Sequence, residues 1–232
     1  MKGIVFDLGG TLMEYENMAL SWEGYYYDAF LSVRESLALD ISDEDIEKSV
    51  AVLRNYNPRI QYREIEYSPE QIFFDVTAFW RVETDVRKVI TEFFKGLKLR
   101  PIIFEDAVQT LGELKNRQYK LAALTDLPTA MPDEILIEGI GPIIKELDFY
   151  VSSLTCGFRK PNPYGLRSIA EHFCVTTGDL LFIGDEEKDI KTAFNAGCKS
   201  VLIRRDGNTG CEFGQDFTIT RLSELDNVLR SP

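Results

Sequence analysis

Short apolar segments separated by stretches of helical periodicity most strongly limit the folds open to this 232-residue chain. The predicted strands are residues 4–6, 121–124, 147–151, 180–183 and 200–203. From residue 105 onward, apolar positions at helical spacing, as around Leu111, Ile169 and Ile190, alternate with these strands. Such alternation is typical of βαβ units, so the sequence predicts an α/β fold with a three-layer core around a parallel sheet.

A long segment, residues 13–104, separates the first predicted strand from the others and contains no comparable strand run. Ser42 and Ser68 each precede a helical apolar pattern and have Asp or Gln three residues later, which is typical of a capping box. An unstructured connection of this length would be implausible in a compact fold. The segment is therefore predicted to be an inserted all-helical domain, with residues 1–12 and 105–232 forming the core domain.

Charge and composition exclude several classes of partner. The net charge of −12 argues against nucleic acid and anionic membranes, because both require a basic surface. The chain shows neither a signal-peptide apolar region nor an apolar run of about 18 residues, so we expect a cytoplasmic protein. The cysteines lack C-x-x-C spacing and are predicted to be free thiols in a reducing compartment. They are Cys156, Cys174, Cys198 and Cys211.

The first apolar run stops at a single carboxylate, Asp7, and passes directly into a turn containing Gly9 and Gly10. A buried strand ending there would hold the carboxylate at the edge where open parallel sheets place their ligands. The glycines allow backbone N–H groups to approach a bound anion. The arrangement suits a carboxylate that attacks phosphorus, although an Asp after a strand is also an ordinary turn former.

Polar residues at three further points suggest the same chemistry. Thr125 ends a predicted strand, and its hydroxyl together with the N–H of Asp126 is suited to holding a phosphoryl oxygen. Lys160 lies in a proline-rich loop, where it is either a directed cation or a solvated lysine. Asp185 follows a strand and Asp189 comes four residues later, so they are either oxygen ligands for Mg²⁺ or an acidic helix start.

In this order, these residues resemble the four motifs of the haloacid dehalogenase-like (HAD) hydrolase superfamily, and the likeness spans nearly the whole chain. The resemblance implies a Rossmann-like core, and the inserted segment is similar to the helical cap of the phosphoglycolate phosphatase and β-phosphoglucomutase branches. It also implies a small phosphorylated metabolite as substrate and a phospho-aspartyl intermediate on Asp7. The residues that carry the likeness are Asp7, Thr125, Lys160, Asp185 and Asp189.

The same resemblance implies a Mg²⁺ ion held by Asp7, the carbonyl of Gly9 and Asp185. Asp189 would be an inner-shell or outer-shell partner of that ion.

The implied phosphoryl-binding groups are Thr125, Lys160 and the backbone near Gly10 and Asp126. Lys160 would also neutralise charge around Asp7.

One position departs from the family pattern. The phosphatases carry a second Asp two residues after the nucleophile, where this chain has Gly9. That Asp protonates the leaving group, which is typically worth about 10²–10⁴-fold. Slow turnover, a good leaving group or a replacement acid such as Glu14 or Glu16 all stay open, and the two glutamates also fit as linker residues.

Two other functions are compatible with the motifs. A catalytically silent binding or regulatory protein would explain Gly9, but idle carboxylates around an empty metal site repel one another. A haloacid dehalogenase would use Asp7 on carbon, but the acidic pair Asp185 and Asp189 disfavours it. A Mg²⁺-dependent phosphatase is therefore the preferred hypothesis.

An aromatic cluster in the inserted segment is a candidate substrate surface. Consecutive tyrosines on a helix point about 100° apart, so they cannot all line one pocket. Packing in the interior is the simpler interpretation. The cluster consists of Trp22, Tyr25, Tyr26 and Tyr27.

Overall fold

The computed structural model describes residues 1–208, 210 and 212–230. The chain forms two compact units, which we name the core unit and the helical unit. The core unit contains Met1–Glu14, Pro101–Asp126 and Ile137–Pro232, and the helical unit contains Tyr15–Arg100 and Leu127–Leu136.

The segment Leu127–Leu136 was expected in the core domain. It belongs to the helical unit because its side chains bond there. The Tyr15 hydroxyl lies 4.0 Å from the sulfur of Met131, and Thr129 hydrogen-bonds Tyr26.

The core unit is built on a six-stranded parallel sheet with the order β5-β4-β1-β6-β7-β8. Its strands are β1 (Gly3–Phe6), β4 (Lys120–Thr125), β5 (Phe149–Ser152), β6 (Leu180–Gly184), β7 (Lys199–Ile203) and β8 (Phe217–Ile219). Helices flank this sheet, so the predicted α/β core is confirmed. All five predicted strands are present, and β8 is an additional edge strand.

Burial explains the position of the sheet within the core unit. All four residues of β1 and all five of β6 are buried, as expected for strands covered on both faces. Leu166, Ile169 and Phe173 on one helix pack with Val5 and Phe182 in a single apolar cluster. One further helix, α6 (Asp133–Gly139), has residues in both units. The helices of the core unit are α5 (Glu105–Asn116), α7 (Gly141–Ile144), α8 (Ser153–Cys156), α9 (Tyr164–Phe173), α10 (Glu187–Ala196) and α11 (Leu225–Arg230).

The helical unit has an aromatic interior. The rings of Phe30 and Phe93 pack at a tilted angle of 52° with centroids 4.8 Å apart, and the ring centroid of Phe73 lies 5.3 Å from that of Phe93. Ser42 forms the predicted capping box, and Ser68 accepts a hydrogen bond from the N–H of Gln71. The four helices are α1 (Tyr26–Ser36), α2 (Asp43–Asn55), α3 (Pro69–Thr77) and α4 (Val86–Gly96).

The expectation that residues 13–104 are helical throughout is wrong at both ends. Strands β2 (Met13–Tyr15) and β3 (Pro101–Ile103) form a separate two-stranded sheet. Each strand has only three residues, which is too short for a recognisable period of alternation.

Two other sequence expectations concern cysteines and membranes. Cys156, Cys174 and Cys198 form no disulfide, and Cys211 lies outside the described residues. Within the described part of the chain, none of the helices has the length and apolar character needed to cross a bilayer.

Candidate functional site

The candidate site lies at the carboxyl ends of three adjacent parallel strands. Asp7 directly follows β1, Thr125 is the last residue of β4, and Asp185 directly follows β6. The N–H of Asp7 donates to the carbonyl of Ile183 at 2.8 Å, which extends the pairing of β1 with β6. The chain leaves β1 in one direction for β4 and returns on the other side as β6, so this edge is the expected ligand-binding position of an open α/β sheet.

Lys160 lies between two carboxylates at this edge. Its Nζ is 2.7 Å from Oδ1 of Asp7 and 2.5 Å from Oδ1 of Asp189. The lysine side chain is 2% exposed and the two aspartates are 8% and 0% exposed. Burial alone would lower the pKa of Lys160, but Asp189 and Asp7 raise it above its ordinary value. The ammonium therefore stays charged.

Asp189 is fixed by the start of α10. Its Oδ2 accepts the N–H of Glu186 at 2.9 Å, completing a capping box at the helix N-terminus. Gly184 makes room for it, because a Cβ at that position would lie 2.4 Å from the Cβ of Asp189. The Gly184-Asp185 pair at the end of β6 therefore has two roles. Gly184 leaves space for the side chain of Asp189, and Asp185 supplies the second carboxylate.

Asp185 packs against the glycine turn. Gly10 has φ +70°, and a Cβ there would lie 2.2 Å from Oδ2 of Asp185, so only glycine fits. The other carboxylate oxygen, Oδ1, is buried and has no hydrogen-bond partner among the described residues. A buried acceptor without a partner is costly in a folded protein.

The electrostatics of the three aspartates are unfavourable without a cation. Burial, together with the charges of Asp7 and Asp189, raises the pKa of Asp185 to about 8. Burial also raises the pKa of Asp7 to about 6, although Lys160 partly opposes this shift. Asp7 and Asp189 both pair with Lys160, and the charge of Asp185 opposes theirs.

These residues fit a hard divalent cation. One carboxylate oxygen from each of Asp7, Asp185 and Asp189 lies within 4.8 Å of the others. Oxygen donors of this kind are what Mg²⁺ requires, with water completing its coordination. The orphaned Oδ1 of Asp185 is the observation that favours a cation at this point.

Asp126 contributes its side chain to the site, a role that the sequence analysis did not assign. Its Oδ1 accepts the backbone N–H of Lys160 at 3.0 Å, and its Oδ2 lies 3.4 Å from Nζ of Lys188 and 3.9 Å from the guanidinium of Arg159. Burial would raise the pKa of Asp126, but Lys188, Arg159 and Lys160 together lower it. Arg159 and Lys188 were missed, although each is adjacent in sequence to a predicted site residue.

Gly9 occupies open space, unlike Gly10. A Cβ at Gly9 would meet nothing within 4 Å, and its φ is outside the left-handed region. The backbone therefore does not require glycine at the position of the missing acid. Glu14 is exposed, and Glu16 lies 3.7 Å from the guanidinium of Arg100 in the helical unit.

The aromatic cluster of the helical unit is partly internal. Tyr26 is 3% exposed and its hydroxyl accepts a hydrogen bond from Asn57 at 3.2 Å. Trp22 packs edge-on against Tyr15 with centroids 5.2 Å apart. These contacts favour the packing interpretation for Tyr26 and Trp22.

Comparisons with known proteins agree with this geometry. Residues 1–197 match the haloacid dehalogenase-like hydrolase family. A phosphoglycolate phosphatase of Shigella boydii is 27% identical over 223 residues, covering 90% of this chain and 84% of that protein.

Two solved structures share the fold. A HAD phosphatase from Thermococcus onnurineus aligns with TM-score 0.65 and 18% identity, covering 99% of this chain and 98% of that one. A 2-haloacid dehalogenase from Pseudomonas syringae aligns with TM-score 0.68 and 18% identity over the same shares. The chain belongs to the haloacid dehalogenase-like hydrolase family.

Proposed function

We propose that this protein is a Mg²⁺-dependent phosphatase that hydrolyses a small phosphorylated metabolite through a phospho-aspartyl intermediate on Asp7. The observation that carries the proposal is the buried contact of Lys160 with Asp7 and Asp189, beside the unpartnered carboxylate oxygen of Asp185. The curated relatives named phosphoglycolate phosphatase support phosphate ester chemistry.

Asp7 is the nucleophile in this proposal. Lys160 binds Oδ1 of Asp7 and holds the carboxylate in one orientation. A fixed orientation favours attack, because less rotational freedom is lost on reaching the transition state. A carboxylate oxygen forms a bond to phosphorus while the bond from phosphorus to the leaving oxygen breaks. The leaving oxygen then takes up a proton. A water oxygen next attacks phosphorus and loses a proton to solvent, while the bond from phosphorus to the Asp7 oxygen of the acyl phosphate breaks. Inorganic phosphate leaves, and the Asp7 carboxylate is regenerated.

Groups at the neighbouring strand ends hold the phosphoryl oxygens. Thr125, the ammonium of Lys160 and the backbone N–H of Asp126 are the assigned donors; the N–H of Gly10, which was expected to join them, already donates to the carbonyl of Met13 at 2.8 Å. Asp126 additionally fixes the lysine loop through the N–H of Lys160. A Mg²⁺ ion held by Asp7, Asp185 and the carbonyl of Gly9, with Asp189 in or next to its shell, would supply positive charge to the phosphoryl group.

The first test is phosphate release with and without metal. Purified protein is assayed with phosphoglycolate, sugar phosphates, nucleotides and acyl phosphates, in Mg²⁺ or in excess EDTA. We expect release only with Mg²⁺, and a loss of about 10³-fold or more in Asp7→Asn, because that variant lacks the nucleophile. Full activity in EDTA would overturn the assignment, and halide release from 2-haloacids in EDTA would indicate a dehalogenase instead.

The second test concerns the missing acid at Gly9. Without a carboxylate there, aryl and acyl phosphates should be hydrolysed faster than alkyl phosphates, because their leaving groups depart unprotonated. Gly9→Asp should raise kcat for alkyl phosphates selectively, by up to about 10²-fold.

The structure supplies the control for this test. Gly9→Ala should leave the alkyl-to-aryl ratio of kcat unchanged, because the site is sterically open at this position. An unchanged ratio in Gly9→Asp with intact Mg²⁺ binding would show that another residue already serves as the acid.

A further inference from the structure

The turn that follows Asp7 is held by its own backbone only in part. The N–H groups of Leu12 and Met13 donate to the carbonyl of Leu8 at 2.8 and 3.0 Å. The N–H of Gly10 donates to the carbonyl of Met13 at 2.8 Å.

The carbonyl of Thr11 in this turn is bound by a side chain from the loop after β7, two strands away at the same edge of the core sheet. Nε and Nη2 of Arg205 donate to it at 3.1 and 2.6 Å, across 194 residues of sequence. Arg205 lies two residues after β7, in a loop of the core unit. Two donors from one planar guanidinium fix both the position and the direction of the carbonyl.

The guanidinium is itself held on its other sides. Nη2 of Arg205 donates to Oδ1 of Asp106 at 3.0 Å, and its carbon lies 3.9 Å from the ring centroid of Phe104. Asp106 is fixed in turn, because its Oδ2 accepts the N–H of Leu222 at 2.9 Å. The ion pair with Asp106 and the contact with the Phe104 ring therefore fix the guanidinium that binds Thr11.

We propose that Arg205 is a positioning residue that holds the turn of residues 8–13 in the geometry required for metal binding. Gly9, whose carbonyl is an assigned metal ligand, and Gly10, which packs on Asp185, both lie in the turn. The metal part of this inference rests on the proposed function. A lysine at position 205 would supply a single charged point and could not reproduce the paired donation to Thr11 together with the contacts to Asp106 and Phe104.

The test compares Arg205→Lys with the control Arg204→Lys. Arg204 is the neighbouring arginine, and it pairs with Asp206 within its own loop. Hydrogen exchange in metal-free protein reports directly on the turn. We expect faster exchange at the amides of Gly10, Leu12 and Met13 in Arg205→Lys and not in Arg204→Lys.

Metal binding provides the second readout. Isothermal titration with Mg²⁺ should show a Kd that is roughly tenfold weaker in Arg205→Lys, and the Mg²⁺ concentration for half-maximal activity should rise by a similar factor. High Mg²⁺ should restore part of kcat, which a purely structural defect would not allow. Asp106→Asn keeps an acceptor but loses the charge, so it should shift the same quantities in the same direction by less.

The outcomes separate the two proposals. Unchanged exchange in the turn overturns the positioning role, as does faster exchange with unaltered Mg²⁺ affinity and kcat. If the wild-type protein neither binds Mg²⁺ nor releases phosphate, the proposed function fails, and the positioning role fails with it even where exchange shows that Arg205 holds the turn. If Arg205→Lys does not fold, Asp106→Asn decides by the same measurements.

Discussion

The sheet edge of the core unit and the interior of the helical unit both bury polar side chains, but the hydrogen-bond and charge partners of those side chains differ. In the helical unit, Ser49 accepts the indole N–H of Trp80 at 3.0 Å and donates to a backbone carbonyl, so neutral partners are matched. At the sheet edge, Asp7 and Asp189 share the ammonium of Lys160 and Asp185 lies beside them, with one carboxylate oxygen that has no partner among the described residues.

This difference shows where each unit gains and loses stability. A satisfied buried hydrogen bond contributes to folding, and leaving one partner unmatched removes that contribution. Crowded carboxylates oppose folding until a ligand neutralises them. Polar burial in the helical unit therefore supports packing, whereas the crowded carboxylates of the core unit oppose folding.

The comparison is first tested in the helical unit. Ser49→Ala should lower the free energy of unfolding by about 1–3 kcal/mol, because the indole N–H of Trp80 is left buried without its acceptor. Urea unfolding followed by tryptophan fluorescence measures the change. Ser32→Ala is the matched control, since the hydroxyl of the half-buried Ser32 donates to the backbone carbonyl of Asp28 in its own helix, and its loss leaves no buried N–H without an acceptor. Equal effects in the two variants would contradict the account.

The opposite sign is expected at the sheet edge. Asp185→Asn should raise the free energy of unfolding of metal-free protein by at least about 1 kcal/mol, because it removes one of three crowded carboxylates. Mg²⁺ at about 100 times its Kd should stabilise the wild type by about 2.7 kcal/mol and leave the variant unaffected.

The control for this prediction is Asp28→Asn on the exposed face of α1, which should change neither quantity appreciably. A metal-free Asp185→Asn protein that is less stable than wild type would show that the crowded carboxylates do not lower stability. That result would contradict the difference between the two units.

The sequence was sufficient to predict the main sheet and the strand ends that carry the candidate site. The strands of the sheet interior are apolar on both faces, so their runs stand out and end at Asp7, Thr125 and Gly184. Strands of three residues, namely β2, β3 and β8, carry too few positions to show a period and were missed.

Side-chain contacts between distant segments could not be predicted in this way. Asp126 accepts the N–H of Lys160 across 34 residues, and Arg205 binds Thr11 across 194. Neither contact has a local signature, because each depends on how the loops after different strands meet at one edge of the sheet. The conformational difference between Gly9 and Gly10 was equally hidden in the sequence.

The central claim is that Asp7 carries the phosphoryl group during turnover. Its most direct test is rapid acid quenching of enzyme with Mg²⁺ and a good substrate, followed by peptide mass spectrometry. The account predicts a phosphoryl group on the peptide containing Asp7 in the wild type and its absence in Asp7→Asn, together with loss of turnover. A phosphoryl group on another side chain, or undiminished turnover by Asp7→Asn, would contradict the account.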